Sequence, residues 1–141
     1  MSAEGYPLAA TVILILPMLY FLFSTITFLL ARLSDPVVTW MLRGLFNTYF
    51  LALIGCSTLG VLAFGSAGRP DIAAGTGVVA GLALGARRWF LRRLDAAIAA
   101  RNAGDPAAVR RLRQLHLSGM AYNAVQFAVI VLSIPNVFVA A

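Results

Sequence analysis

The chain has 141 residues, of which 61% are hydrophobic and 11% charged, with a net charge of +6. A soluble domain is about 45–50% apolar and about 25% charged, so this chain lacks the polar material to coat a water-facing globule. All 11 basic residues are arginine. They flank apolar runs, which makes anionic lipid headgroups, not nucleic acid, their expected partner.

A bilayer core of about 30 Å needs about 20 apolar residues of helix. The first run, residues 8–31, meets this without a charge. No basic segment precedes it and it is long for a signal-peptide core, so it reads as a retained span. Pro17 removes one backbone hydrogen bond from its middle and predicts a kink. Tyr20, Ser24 and Thr27 share one face, and Tyr6 suits an outer interface. The second run, residues 45–64, opens with Arg43 and Asn47 one turn apart. It carries a ridge of small residues, Ala52, Cys56 and Gly60. Cys56 is the only cysteine and reads as a small packing residue.

The third run is short. Its uncharged part ends at Ala86, and Trp89, Phe90 and Leu91 extend it to give a span over 72–91. Gly77, Gly81 and Gly85 recur every four residues, with Ala73 one step earlier. Such a ridge lets a second helix approach closely, and it predicts packing of span three on span two. A homodimer face, or a groove for a flat cofactor or lipid tail, are the other uses of such a ridge.

Residues 87–116 read as a helical hairpin. Gly104 suits a helix stop, Asp105 an N-cap and Pro106 the first helical position. Leu91, Leu94 and Ile98 recur on one arm, and Val109, Leu112 and His116 on the other. Asp95 is expected to pair with Arg88 or Arg92 on its own helix. Arg87, Arg88, Arg92, Arg93, Arg110, Arg111 and Arg113 are expected to face lipid headgroups. The fourth span covers 117–139.

The fold expected is therefore all-α, a four-transmembrane-helix bundle forming one domain over residues 1–141, with helices three and four extended into a cytoplasmic hairpin. Lipid-exposed strands would leave backbone groups unpaired. The positive-inside rule puts connections one and three in the cytoplasm and both termini outside, with ten of the 11 arginines inside and only Arg69 outside. Trp40 and Trp89 suit the inner interface. The expected location is a bacterial inner membrane, crossed several times.

Polar side chains are costly in lipid, so their positions mark candidate sites. On span four His116, Met120, Asn123 and Gln126 follow helical spacing, with Tyr122 beside them. With Tyr20, Ser24, Thr27, Arg43 and Asn47 they all fall in the cytoplasmic half. That convergence reads either as interhelical glue or as a pocket open to the inner leaflet. No catalytic set is expected: Glu4, Asp35, Asp71, Asp95 and Asp105 all lie outside or beside the spans. One histidine and one cysteine cannot build a metal site. A haem would need an axial ligand from a second subunit.

Residues 45–50, Leu-Phe-Asn-Thr-Tyr-Phe, open span two, and residues 115–118, Leu-His-Leu-Ser, open span four with Asn123 following. This arrangement resembles a bacterial family of four-span membrane proteins of unassigned function, whose layout is shared by similar eukaryotic transmembrane proteins. The resemblance covers spans two to four and singles out Phe46, Tyr49, His116, Ser118 and Asn123, but implies no activity.

Three roles fit the residues. The first is a non-enzymatic accessory, assembly or scaffold subunit of an inner-membrane complex, or a homo-oligomer. The second is a binding or transport protein that takes a quinone, porphyrin or lipid beside His116. The third is a membrane oxidoreductase using His116 and Tyr122 with a borrowed cofactor.

Overall fold

The computed structural model describes the backbone of residues 5–138 and the side chains of residues 8–135. It contains four helices and, among the described residues, no strand: α1 (Gly5–Leu30), α2 (Pro36–Ser66), α3 (Pro70–Asn102) and α4 (Ala108–Phe138). The anchor expected at the Tyr6 side chain and the span end expected at Val139 lie outside the described residues. Helix α1 runs unbroken across Pro17.

Several helix ends are closed by identifiable hydrogen bonds. Asp35 caps α2 by accepting a hydrogen bond from the Val37 amide at 2.8 Å, and Pro36 opens the helix with its preset φ. Helices α2 and α3 end alike. Gly68 (φ +71°) and Gly104 (φ +83°) take the left-handed conformation. The amide that follows each then reaches back to a carbonyl five residues earlier, Arg69 to Phe64 at 2.9 Å and Asp105 to Ala100 at 3.0 Å. Asp105 accepts from the Ala107 amide at 2.8 Å. Helix α4 thus starts at Ala108, two residues after Pro106, because residues 105–107 form a turn first. Helix α1 has no glycine stop. Arg113 of α4 instead donates to the Phe28, Leu29 and Ala31 carbonyls at 2.6–3.0 Å. A cation there satisfies orphan carbonyls and meets the negative end of the helix dipole.

The helices form a ring in which consecutive helices are neighbours and α4 closes on α1. This places the α1–α2 and α3–α4 turns at one end and the α2–α3 turn at the other. Arg101, near the end of α3, ties the first and third turns together. It donates to the Asp35 carbonyl at 3.3 Å and to the Thr39 hydroxyl. Asp95 pairs with Arg43 of α2, not with an arginine of its own helix.

An aromatic cluster fills the centre. Phe21 of α1 meets Phe46 edge-on at 5.2 Å and Tyr49 at 4.2 Å between ring centroids. Phe50 stacks on Phe90 of α3 at 5.8 Å and meets Tyr122 of α4 at 5.9 Å. Large apolar side chains also cover much of the outside: Phe23, Leu62 and Leu132 are 66%, 65% and 77% exposed. A water-soluble protein rarely shows such continuous apolar area, whereas lipid favours it.

Helices α1, α2 and α4 are each long and apolar enough to cross a membrane. Helix α3 has 33 residues, but its uncharged stretch, residues 72–86, is fifteen residues rich in Gly and Ala. That is about 22 Å of helix against a hydrocarbon core of about 30 Å.

Candidate functional site

The polar side chains of the middle of the bundle meet each other. Tyr49 is 1% exposed on α2, and Asn123 is 1% exposed on α4. The Tyr49 hydroxyl donates to Asn123 Oδ1 at 2.9 Å and lies 3.4 Å from Gln126 Oε1. Asn123 Nδ2 donates to the Met18 carbonyl of α1 at 3.2 Å. One asparagine therefore joins three helices. Its amide presents an acceptor and a donor on opposite sides, which a residue in the centre of a ring of helices needs to bridge two neighbours. Most of the buried side chains around it are aromatic or aliphatic.

A glycine makes this crossing possible. A Cβ built on Gly119 would overlap the Phe46 ring, so the ring from α2 reaches the bare backbone of α4 at this level. The signal in the sequence is an isolated glycine inside a helical pattern, one turn before Asn123. Gly119 belongs to neither of the ridges of small residues that the sequence shows, so its spacing does not mark it.

His116 is fully buried one turn closer to the arginine-rich end. Its ring meets Phe28 edge-on at 6.2 Å. Among the described residues neither ring nitrogen has a partner in hydrogen-bond geometry. The Tyr122 hydroxyl and Gln126 Nε2 are likewise buried without one. A haem ligand from a second subunit would have to part the α1–α4 seam to reach this ring.

The other residues of the expected convergence lie elsewhere. Tyr20, Ser24 and Thr27 line a separate surface groove of about 420 Å³ with Met41, Leu45 and Thr48. Tyr20 is 57% exposed, and Thr27 donates back to the Ser24 carbonyl. Arg43 holds Asp95. Asn47 accepts from Arg87 at 2.7 and 3.1 Å. Met120 is half-buried. The Asn123 group and the Tyr20 group are thus on the inside and the outside of the bundle, and they share no cavity.

The small-residue ridges also divide. Gly60 and Gly77 sit where α2 meets α3: a Cβ on Gly60 would come 2.9 Å from Thr76, and one on Gly77 3.7 Å from Val61. Ala52 and Cys56 are half-buried nearby. Gly81 and Gly85 are exposed, with nothing within 4 Å of a built Cβ. Their face of α3 looks out of the bundle.

Arginines dominate the end that holds the α1–α2 and α3–α4 turns. Arg87 and Arg113 are used between helices, and Arg111 pairs with Asp105 at 2.7 Å. Arg93 lies over the Trp89 ring, 4.5 Å from its centroid. Arg88, Arg92 and Arg110 are exposed and form no ion pair with the described residues.

At the opposite end α1, α3 and α4 leave a mostly apolar cleft of about 320 Å³ that reaches from Leu14 to Val79 and Ile130. Its hydroxyls from Thr76 and Ser133 donate to their own helices. No group of three or more potential metal ligands occurs among the described residues.

Comparison of the chain with protein-family models, with curated proteins and with solved structures finds no match.

Proposed function

We propose that this chain is a four-span membrane protein with a non-enzymatic role, as a scaffold or accessory subunit of a larger assembly in an inner membrane. The observation that carries this reading is the self-contained interior. Tyr49 and Asn123 at the centre are bonded to each other and to α1, and closely packed aromatic rings surround them. Interhelical bonds of this kind fix which helices are neighbours and which way each one faces. What remains available for interaction is the outside. It consists of apolar helix faces, the open Gly81–Gly85 strip of α3 and a belt of arginines at one end.

The ring favours a reading of four spans over three. Helix α3 packs against both α2 and α4. The shortfall in its apolar stretch is made up at the arginine-rich end, where Trp89, Phe90 and Leu91 enter the interface and long arginine stems reach toward headgroups. The same belt orients the chain with the turns at 31–35 and 103–107 in the cytoplasm.

Native mass spectrometry of gently solubilised protein, with an absorbance spectrum of the same sample, tests the role. Stoichiometric protein partners or a defined homo-oligomer are expected. A lone monomer carrying a small hydrophobic molecule would replace this reading with the second one, a binding or transport protein for a quinone, porphyrin or lipid. One observation favours that alternative: although the Thr25 backbone lies close, neither nitrogen of the buried His116 ring makes a hydrogen bond of good geometry, and a buried polar group left so invites a ligand.

A further inference from the structure

The largest groove described runs between α3 and α4 at the arginine-rich end, about 660 Å³, and is lined by Trp89, Arg93, Arg111, Gln114, Leu115 and Ser118 among others. We propose that it binds a phosphate-bearing anion, carried by an anionic phospholipid or free in solution. The site rests on the membrane reading above and makes it specific.

Three features converge on this ligand class. The groove has a cation on each wall, Arg93 from α3 and Arg111 from α4, and no acid among its lining residues. Asp105 engages one terminal nitrogen of Arg111 from the turn, which steadies the side chain and leaves its other N–H groups outside that ion pair. Arginine forks match phosphate oxygens geometrically, and those bonds are charge-assisted. Second, Gln114 and Ser118 add neutral donors one turn apart on α4, so a phosphate held by the two arginines meets further N–H and O–H groups. Third, the groove changes polarity along its length. Trp89, 45% exposed, and Leu115 lie among the polar groups, and the exposed α3 strip at Gly85 and Gly81 continues past Trp89 into the apolar span. A lipid whose phosphate sat between Arg93 and Arg111 would have bare backbone beside its chains. Basic recesses between helices at the cytoplasmic interface are where anionic headgroups bind.

The test is native mass spectrometry of the intact chain in detergent micelles, titrated with phosphatidylglycerol, with phosphatidylcholine or with inorganic phosphate. The expected result is saturable phosphatidylglycerol adducts on the wild type, and affinity at least about tenfold lower in the double variant R93Q/R111Q, the scale set by losing two charge-assisted contacts. R32Q/R110Q loses the same charge at exposed positions outside the groove and is expected to keep the adducts. Ser118→Leu fills the groove without changing charge and is expected to lose them. Binding of inorganic phosphate that needs Arg93 and Arg111 would equally support the site and would assign a soluble source. Equal loss in R93Q/R111Q and R32Q/R110Q would mean diffuse attraction and would overturn the site, as would phosphatidylcholine binding as well as phosphatidylglycerol. Carbonate extraction of membranes holding the same variants separates the two levels. A chain released by carbonate ends the membrane reading itself, whereas a retained chain with groove-independent adducts ends only the site.

Discussion

The Tyr49 hydroxyl donates to Asn123 Oδ1 across the diagonal of the bundle, at 2.9 Å, while the other side of the same amide holds the Met18 carbonyl of α1. In lipid an unmade bond at this depth finds no water to replace it. Tyr49→Phe is expected to cost about 0.6–2 kcal/mol, the range of interhelical hydrogen bonds in membranes. Asn123→Leu is expected to cost more, because it frees a hydroxyl on α2 and a carbonyl on α1 at once. A double-mutant cycle on unfolding in detergent should show coupling between the two, the double variant being less damaged than the sum. Additive losses would mean that the bond contributes nothing. Coupling seen only when lipid extract or a quinone is added would mark the group as a ligand site.

Gly119 and Gly81 look alike in the sequence, each a glycine inside an apolar helix, but they have opposite roles. Gly119→Ala drives a methyl into the Phe46 ring and is expected to destabilise by about 1–3 kcal/mol, as overpacking does. Phe46→Leu in the same chain should recover part of that loss. Gly81→Ala and Gly85→Ala meet open space and should be neutral or gain up to about 1 kcal/mol from helix propensity. Thermal unfolding in one detergent separates the three. If Gly81→Ala instead lowered the oligomeric state without lowering stability, the outer strip of α3 would be an interface between chains.

That contrast shows what a single sequence can and cannot convey here. The spacing of polar residues on span four grouped Asn123 with Gln126, and both do lie on one face. Gly104 stops α3 where a left-handed residue was expected. Rotation of each helix about its own axis was not readable. In a soluble helix the apolar stripe points to the core, but these helices are apolar on the lipid side as well, so pattern alone does not say which face is inside. That is why Tyr20 and Thr27 appeared to converge with His116 and instead line an outer groove. It is also why Asp95 was assigned an arginine on its own helix and found one on α2.

Arg113 stands in for the C-terminal glycine that α1 lacks. Arg113→Met keeps the aliphatic stem and removes the donors. It is expected to lower stability by about 1–2 kcal/mol, the upper range for a partly buried cation at a helix C-terminus. Arg110→Met, three residues earlier and exposed, should change stability by less than about 0.5 kcal/mol. Hydrogen exchange should show faster opening of the last turn of α1 in Arg113→Met alone. Equal effects from the two variants would reduce Arg113 to one more member of the charge belt.

The turn at 103–107 carries a charge-dependent contact that can be followed by pH. The Ala107 amide, and then Arg111, hold the Asp105 carboxyl below the ordinary carboxylate value. A depressed folded pKa means that its contribution is complete above the unfolded value of about 3.9 and fades as pH falls through the lower, folded value. Amide exchange at Ala107 and Ala108 should therefore be protected near neutral pH and lose that protection below about pH 4 beyond the intrinsic pH effect. Asp105→Asn keeps an acceptor for the Ala107 amide but has no charge for Arg111, and its residual protection should not change across that range. A wild type that tracks Asp105→Asn at every pH would show that Arg111 adds nothing to the turn.

The ring of neighbours makes a topological commitment stronger than apolar length alone. Arg101 in α3 reaches the Asp35 carbonyl, and Arg113 in α4 reaches Ala31, so the first and third turns lie at one end whatever orientation the chain takes. If α3 crosses the bilayer, a thiol at either turn must react from the same side of the membrane. In a Cys56→Ala background, Ser34→Cys and Ala103→Cys should both label with a membrane-impermeant maleimide in inside-out vesicles, and Ser66→Cys only in right-side-out ones. The positive-inside rule predicts that sidedness, since ten of the 11 arginines lie in or to either side of the first and third turns and only Arg69 lies at the second. Same-side labelling of Ser34→Cys and Ala103→Cys with inverted sidedness would keep the four-span ring and reverse its orientation. Labelling of Ser34→Cys and Ala103→Cys from opposite faces cannot be reconciled with the Arg101–Asp35 contact, and would mean that only the three strongly apolar helices cross.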